Sequence, residues 1–153
     1  MAEPGVGPVL VRDTAQADLP ALLRLYGQLG DPDALPDIAT AAGALAAIGA
    51  QSGMHLLVAE LGGQVVGTVT LVVVPNLTHF ARPWAQVENM VVDQTHRSGG
   101  VGRRLLDRCK ELARDAGCYK LQLQSANQRD GAHRFYEMYG FAPSSVGFRL
   151  YLH

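Results

Sequence analysis

The residues whose types and spacing are best suited to chemistry lie between Gln86 and Leu112, QVENMVVDQTHRSGGVGRRLLDRCKEL. Arg97-Ser98-Gly99-Gly100-Val101-Gly102 fits the pattern R-x-x-G-x-G, and Arg103-Arg104 follow directly. A glycine turn that opens a helix aims unpaired backbone N–H groups at an anion, and the helix dipole adds to the attraction. Arg97, Arg103 and Arg104 add full positive charge. The chemistry implied is the holding of a phosphate-bearing ligand. A nucleotide P-loop needs Lys-Ser or Lys-Thr after its last glycine, where Arg103-Arg104 stand. A dinucleotide fingerprint needs a glycine at the place of Leu105 and an acid at the end of the next strand, which here ends Leu123-Gln124-Ser125. The third pattern, R-x-x-G-x-G, fits.

That turn needs a strand before it and a helix after it. Val87 to Val92 reads as the strand. From Val101 the apolar residues Val101, Leu105, Leu106, Cys109, Leu112, Ala113 and Ala116 recur at helical spacing, marking one buried face. Alternation along the strand puts Glu88 and Met90 on one face. Upstream, Val9 to Arg12 reads as a short strand. Asp18 reads as the N-cap of a helix carrying Leu19, Leu22, Leu23, Tyr26 and Leu29. Gly30-Asp31-Pro32-Asp33 breaks it, and an alanine-rich helix runs from about Asp37 to Gln51. His55–Leu61 and Gln64–Val74 form a hairpin about Gly62-Gly63, ended by Pro75. An irregular loop follows to Pro83. Downstream come a strand at Tyr119–Gln124, a helix from about Gly131 to Tyr139, and a last strand at Phe148–Leu152. The strand–helix–strand unit from Val87 through Gln124 is expected to be parallel and right-handed.

A second segment reinforces the first: Asn127, then Ala132-His133-Arg134-Phe135-Tyr136-Glu137-Met138-Tyr139-Gly140-Phe141. Together the two resemble the GNAT superfamily of acyl-CoA-dependent N-acetyltransferases, specifically over roughly residues 55–152 and more loosely over 1–54. The resemblance implies an α/β (mixed α+β) fold, one GNAT-type domain over 1–153. Its central sheet is mostly antiparallel, with one parallel splayed pair, and is flanked by helices. It implies acetyl-CoA as cosubstrate and an amine as acceptor.

It also implies roles. Arg97, Ser98, Gly99, Gly100, Val101, Gly102 and Arg103 would cradle the coenzyme pyrophosphate. Met90, Val91 and Val92 would offer backbone groups to the pantetheine arm beyond the splay. Asn127 matches an amide that contacts that arm, and Arg134 is placed to reach a phosphate. Tyr136 matches the tyrosine that faces the coenzyme sulfur and assists its departure. Glu88 is the candidate base, directly or through a water, because a glutamate in an apolar strand is costly to bury unpaired. Each has a plainer alternative: a packed aromatic for Tyr136, a strand-edge ion pair for Glu88, a turn residue for Asn127, a solvated helix arginine for Arg134. Tyr139 is expected only to pack. Asp31, Asp33 and Asp37 read as capping and turn residues that also stand where an amine acceptor could enter. A non-catalytic acyl-CoA-binding or regulatory module on the same fold remains the alternative function.

Composition sets the remaining bounds. The 153 residues suit one domain, and 48% hydrophobic with 18% charged residues is globular. A net charge of −1 gives no electrostatic case for nucleic acid or an anionic membrane. No apolar run is long enough to span a bilayer. Met-Ala-Glu-Pro-Gly does not open a signal peptide. Cys109 and Cys118 form no C-x-x-C pair, which with the rest favours the cytoplasm. The five histidines show no ligand spacing, so no metal is expected. The apolar end FRLYL suits pairing at a sheet edge, and many GNAT relatives are dimers, so a homodimer is expected.

Overall fold

Strand β3 (Gln64–Val74) runs QVVGTVTLVVV, β-branched almost throughout, and every residue from Val65 to Leu71 is buried. A run of that kind belongs in the middle of a sheet covered on both faces. The computed structural model describes residues 7–127 and 129–152 and puts β3 there. The five strands lie in the order β1 (Leu10–Asp13), β2 (Met54–Leu61), β3, β4 (Trp84–Val92), β5 (Leu121–Leu123). The first three pairings are antiparallel and β4–β5 is parallel. Gly62 and Gly63, at φ 57° and 80°, make the β2–β3 turn, a conformation that glycine adopts without strain.

Helices cover both faces. Leu19, Leu22 and Leu25 of α1 (Leu19–Leu29) and Ala41 of α2 (Ile38–Ala50) pack on Leu56, Val58 and Val65. On the other face Val101, Leu105, Leu106, Cys109 and Ala113 of α4 (Val101–Asp115) pack on Leu57, Val66, Val69, Leu71 and Val87. The helix comes closest over Gly67, where a Cβ would meet Val101 Cγ1 at 3.0 Å and Leu105 Cδ1 at 3.2 Å. Phe135, Tyr136 and Tyr139 of α5 (Asp130–Tyr139) lean on the same cluster.

The mixed sheet, the parallel pair and the flanking helices are as the resemblance implies. Four local expectations need correction. Asp18 does not cap α1. It lies in a 3-10 turn (Gln16–Asp18), takes the Ala15 N–H at 2.7 Å, and is held by Arg12 at 2.8 and 2.9 Å. The loop before β4 contains one turn, α3 (Thr78–Ala81), in which His79, Phe80 and Ala81 take φ of 52°, 61° and 58°. Left-handed backbone of that kind costs about 1–2 kcal/mol per residue, and the His79 ring stacked on Tyr119 at 3.8 Å helps offset it. The strand after α4 is only Leu121–Leu123. Finally, Phe148–Leu152 is not a strand: it is irregular and exposed, and among the described residues no strand pairs with its backbone. The segment Met-Ala-Glu-Pro-Gly, on which the absence of a signal peptide was argued, lies outside the described residues, as does His153.

Candidate active site

The site begins with a fault in β4. Thr70 pairs with Glu88 and Thr68 with Val91, so Asn89 and Met90 together oppose the single residue Val69. Asn89 accordingly takes φ 50°. This is a β-bulge, and a bulge shifts the alternation of every residue after it. Ala85 and Val87 face α4 before the bulge; Met90 and Val92 face it afterwards, and Val91 turns to α1 and α2. Glu88 and Met90 therefore do not share a face, contrary to simple alternation. Glu88 points to the α1–α2 side.

The same region opens the sheet. β4 pairs with β5 only over Ala85–Val87 against Leu121–Leu123. From Glu88 onward one edge of β4 has no strand beside it among the described residues. A cleft of about 250 Å³ fills the gap. Glu88, Asn89 and Met90 line one side; Gln124, Ser125, Arg129 and Tyr136 line the other. Residues 48 positions apart in the chain, Glu88 and Tyr136, thus wall one cleft.

Tyr136 is largely enclosed. Its ring lies 5.4 Å from Phe135 and 5.9 Å, edge-on, from Phe141. Burial raises its phenol above the ordinary value, and the nearby Arg129 charge opposes the rise. The group is a protonated hydrogen-bond donor at neutral pH. Tyr139, one turn away in sequence, instead donates to Asp107 Oδ1 at 2.7 Å and carries Arg103 over its ring at 5.6 Å. Glu88 is exposed and accepts from Gln86 Nε2 at 3.0 Å; Gln86 in turn accepts from Gln122 Nε2 at 2.8 Å. That chain of amides ties the carboxylate to β5 without burying it.

The glycine turn follows β4 directly. Ser98 and Gly100 take φ of 71° and 81°, and Gly100 caps α4. The first helical hydrogen bond runs from Arg104 N–H to Gly100 O. Among the described residues no acceptor in the chain takes the N–H groups of residues 98–103. The cradle is braced from below. Buried Asp93 binds Thr95 N–H at 2.9 Å, the Thr95 hydroxyl at 2.8 Å and Arg24 of α1; Arg97 Nε donates to Val92 O at 3.1 Å. The Thr95 N–H above all, then its hydroxyl and Arg24, hold the Asp93 carboxyl well below the usual carboxylate range. Gly102 sits where a Cβ would meet Met90 Cε and Phe135 Cζ, both at 3.1 Å, so the helix start is pressed between β4 and α5.

Of the residues singled out in the sequence, Glu88, Met90 and Tyr136 come together in the cleft. Arg97, Ser98, Gly99, Gly100, Val101, Gly102 and Arg103 lie on the glycine turn and the start of α4, which meet the cleft residue Met90 at Gly102, with the Val101 side chain in the core. Val91 and Val92 line no part of the cleft with their side chains. Asn127 and Arg134 are exposed and line neither the cleft nor the cavity beside it. Sequence reasoning missed Ser125, Arg129 and Arg149, which do line the cleft. Ser125 Oγ is buried without a hydrogen-bond partner in the chain, a polar atom left for a water or a ligand to meet. No motif surrounds these three, and only proximity in the fold reveals them. Neither cysteine lines the cleft, and burial pushes Cys109 up to about 12, so no thiolate nucleophile is on offer.

The model of the acetyltransferase (GNAT) family matches residues 19–141. A protein of Agrobacterium tumefaciens strain C58 described as a candidate acetyltransferase has a solved structure that superposes with TM-score 0.88 at 38% identity. The match covers 94% of this chain and 99% of that one. A glucosamine 6-phosphate N-acetyltransferase of Trypanosoma brucei brucei is 34% identical over 88 residues, 58% of each protein. An aminoalkylphosphonate N-acetyltransferase of Salmonella typhimurium is 33% identical over 95 residues, 62% of this chain and 61% of that protein. In these two curated relatives the match thus spans about three fifths of the protein.

Proposed function

The chain belongs to the GNAT acetyltransferase family, and we propose that it moves an acetyl group from acetyl-CoA to the primary amine of a small molecule or peptide. One observation carries the reading: Glu88 and Tyr136 wall a single cleft, and Met90 of that cleft packs against Gly102 of the glycine turn, whose N–H groups have no acceptor among the described residues. The N–H groups of residues 98–103 would take the pyrophosphate oxygens, with Arg97 and Arg103 beside them. The free edge of β4 at Met90–Val92 and the unpartnered Ser125 Oγ would take the amides of the pantetheine arm. Asn127, exposed in the turn before α5, and Arg134, on the exposed side of α5, are proposed to contact the coenzyme from outside the cleft.

The thioester arrives already activated, so the protein needs few groups. The amine nitrogen forms its bond to the carbonyl carbon as the C–S bond breaks. Glu88, directly or through a water, accepts the proton that the amine gives up. Tyr136 donates a hydrogen bond to the sulfur as it leaves. Full transfer is uphill by roughly 2 kcal/mol from ordinary phenol and thiol values, and burial of Tyr136 makes it steeper. A hydrogen bond to the developing thiolate is therefore the role assigned.

The non-catalytic alternative, an acyl-CoA-binding module, requires no proton acceptor and no donor on the cleft, and both stand there. Glucosamine 6-phosphate and an aminoalkylphosphonate enter as test acceptors through the relatives' names. The proposed setting is the cytoplasm, consistent with two unpaired cysteines; among the described residues no helix is long and apolar enough to cross a membrane. We also propose a homodimer through the exposed C-terminal segment. The deciding experiment is thiol release from acetyl-CoA with an amine panel. Release that requires both substrates, with N-acetylated amine found by mass spectrometry, is expected. Tight acetyl-CoA binding with no amine-dependent release favours the binding module.

A further inference from the structure

A second cavity, of about 580 Å³, opens on the α1–α2 face of the sheet and shares Leu29, Glu88 and Asn89 with the cleft. It is the size of a small-molecule site. Its walls are mainly apolar: Leu35, Ile48, Met54 and Val72 surround it, with the body of Tyr26. Two charged residues line it, and both are acids: Glu88 at the junction with the cleft and Asp31 on the exposed break between α1 and α2. Among the described residues no lysine, arginine or histidine does so. Arg129 and Arg149 lie in the cleft on the Tyr136 side, where the coenzyme would thread.

The geometry points to this cavity as the acceptor site, and to an acceptor whose primary amine is borne on an uncharged alkyl or aryl body, without phosphate, phosphonate or carboxylate. The inference rests on the acetyltransferase reading above. The argument is one of complementarity. A cationic ammonium is drawn by Asp31 and Glu88 and comes to rest beside Glu88, which is where its proton must go. The rest of the molecule is desolvated against aliphatic walls, which favours an apolar body. An anionic group there would lose its water and find two carboxylates and no cation, a mismatch that discriminates strongly.

The test compares phenethylamine with glucosamine 6-phosphate and 2-aminoethylphosphonate as acceptors for the same enzyme, reading kcat/KM from thiol release. Phenethylamine is expected to lead both by at least about tenfold, within the range that pocket contacts supply. A second arm uses Ala34→Phe. Ala34 lines the cavity from an exposed short turn, so the larger ring fills the cavity without entering the core. KM for phenethylamine should rise roughly tenfold while ethylamine changes less than about threefold and coenzyme A affinity is unmoved. Turnover of a phosphate or phosphonate amine equal to or above that of phenethylamine overturns the inference and leaves the acetyltransferase reading standing. An unchanged phenethylamine KM in Ala34→Phe does the same. Absence of thiol release with any amine overturns both.

Discussion

The proposed chemistry rests on two side chains in contrasting settings. Tyr136 is packed among aromatics and stays protonated; Glu88 is open to solvent and tied through Gln86. Glu88→Gln keeps the shape and the amide contact to Gln86 but cannot accept a proton. We expect kcat/KM for the amine to fall roughly 10²-fold, the lower end for one acid–base group, with coenzyme A affinity unchanged. Steady-state kinetics beside calorimetry on one preparation checks it, and a loss of less than about threefold would remove the base role. Tyr136 was legible only through its A-x-x-F-Y-x-x-x-G-F setting, since an aromatic at helical spacing ordinarily packs. Ser125 and Arg129 were not legible, because what marks them is the empty space they face.

At the scale of elements, the proposed phosphate site is the strand–turn–helix unit, whose turn is already braced by the chain's own hydrogen bonds. Gly100→Asp puts a Cβ at φ 81° and a carboxylate beside the cradle. Coenzyme A affinity should fall at least roughly tenfold, about 1.4 kcal/mol, by calorimetry; unchanged binding in a folded variant would contradict the cradle. Asp93 is the brace. Its folded carboxyl titrates below its unfolded value, so its stabilisation is fully present above the free-carboxylate value near ~3.9 and is lost as pH falls through the lowered folded value. Asp93→Asn should cost about 1.5–3 kcal/mol in urea unfolding at pH 7, the usual worth of hydrogen bonds to a charged group. That difference should shrink as the pH is taken down through the lowered value. A constant difference at all pH values would show that the charge is not what matters.

The elements themselves were mostly legible. Caps and breakers such as Asp37, Gly30-Asp31-Pro32 and Gly62-Gly63 act locally, and the hydrophobic period of α4 needs only its own residues. Three features were not. The bulge at Asn89 is imposed by the β3 register, and nothing in VENMVV announces it. Asp18 obeys Arg12 and Ala15 in place of its own helix. FRLYL has the composition of a strand, but a strand requires a neighbour, and the described residues provide none.

For the whole molecule, that last segment is the open edge. Phe148, Leu150 and Leu152 are 93%, 84% and 90% exposed, next to β5, itself the last strand of the sheet. Gly147 passes so near Gln124, which lines the cleft, that a Cβ would lie 3.1 Å from Nε2. Pairing with the same segment of a second copy would bury these side chains and satisfy the edge. Light scattering should therefore give twice the 16.4 kDa of one chain at micromolar concentration. Phe148→Asp with Leu150→Asp should return it to one. A wild-type mass of 16.4 kDa would remove the dimer.

The central claim is that the cleft between β4 and β5 performs acetyl transfer with Tyr136 at the leaving sulfur. The most direct measurement is the rate of amine-dependent thiol release by Tyr136→Phe against wild type, with both substrates saturating and chemistry limiting. Removing one hydroxyl leaves the ring packing on Phe135 and Phe141 intact. The expected result is a fall of roughly 10²-fold or more in turnover with coenzyme A affinity unchanged. A variant that keeps more than about half the wild-type rate would contradict it, since a merely packed tyrosine loses little when only its hydroxyl is removed.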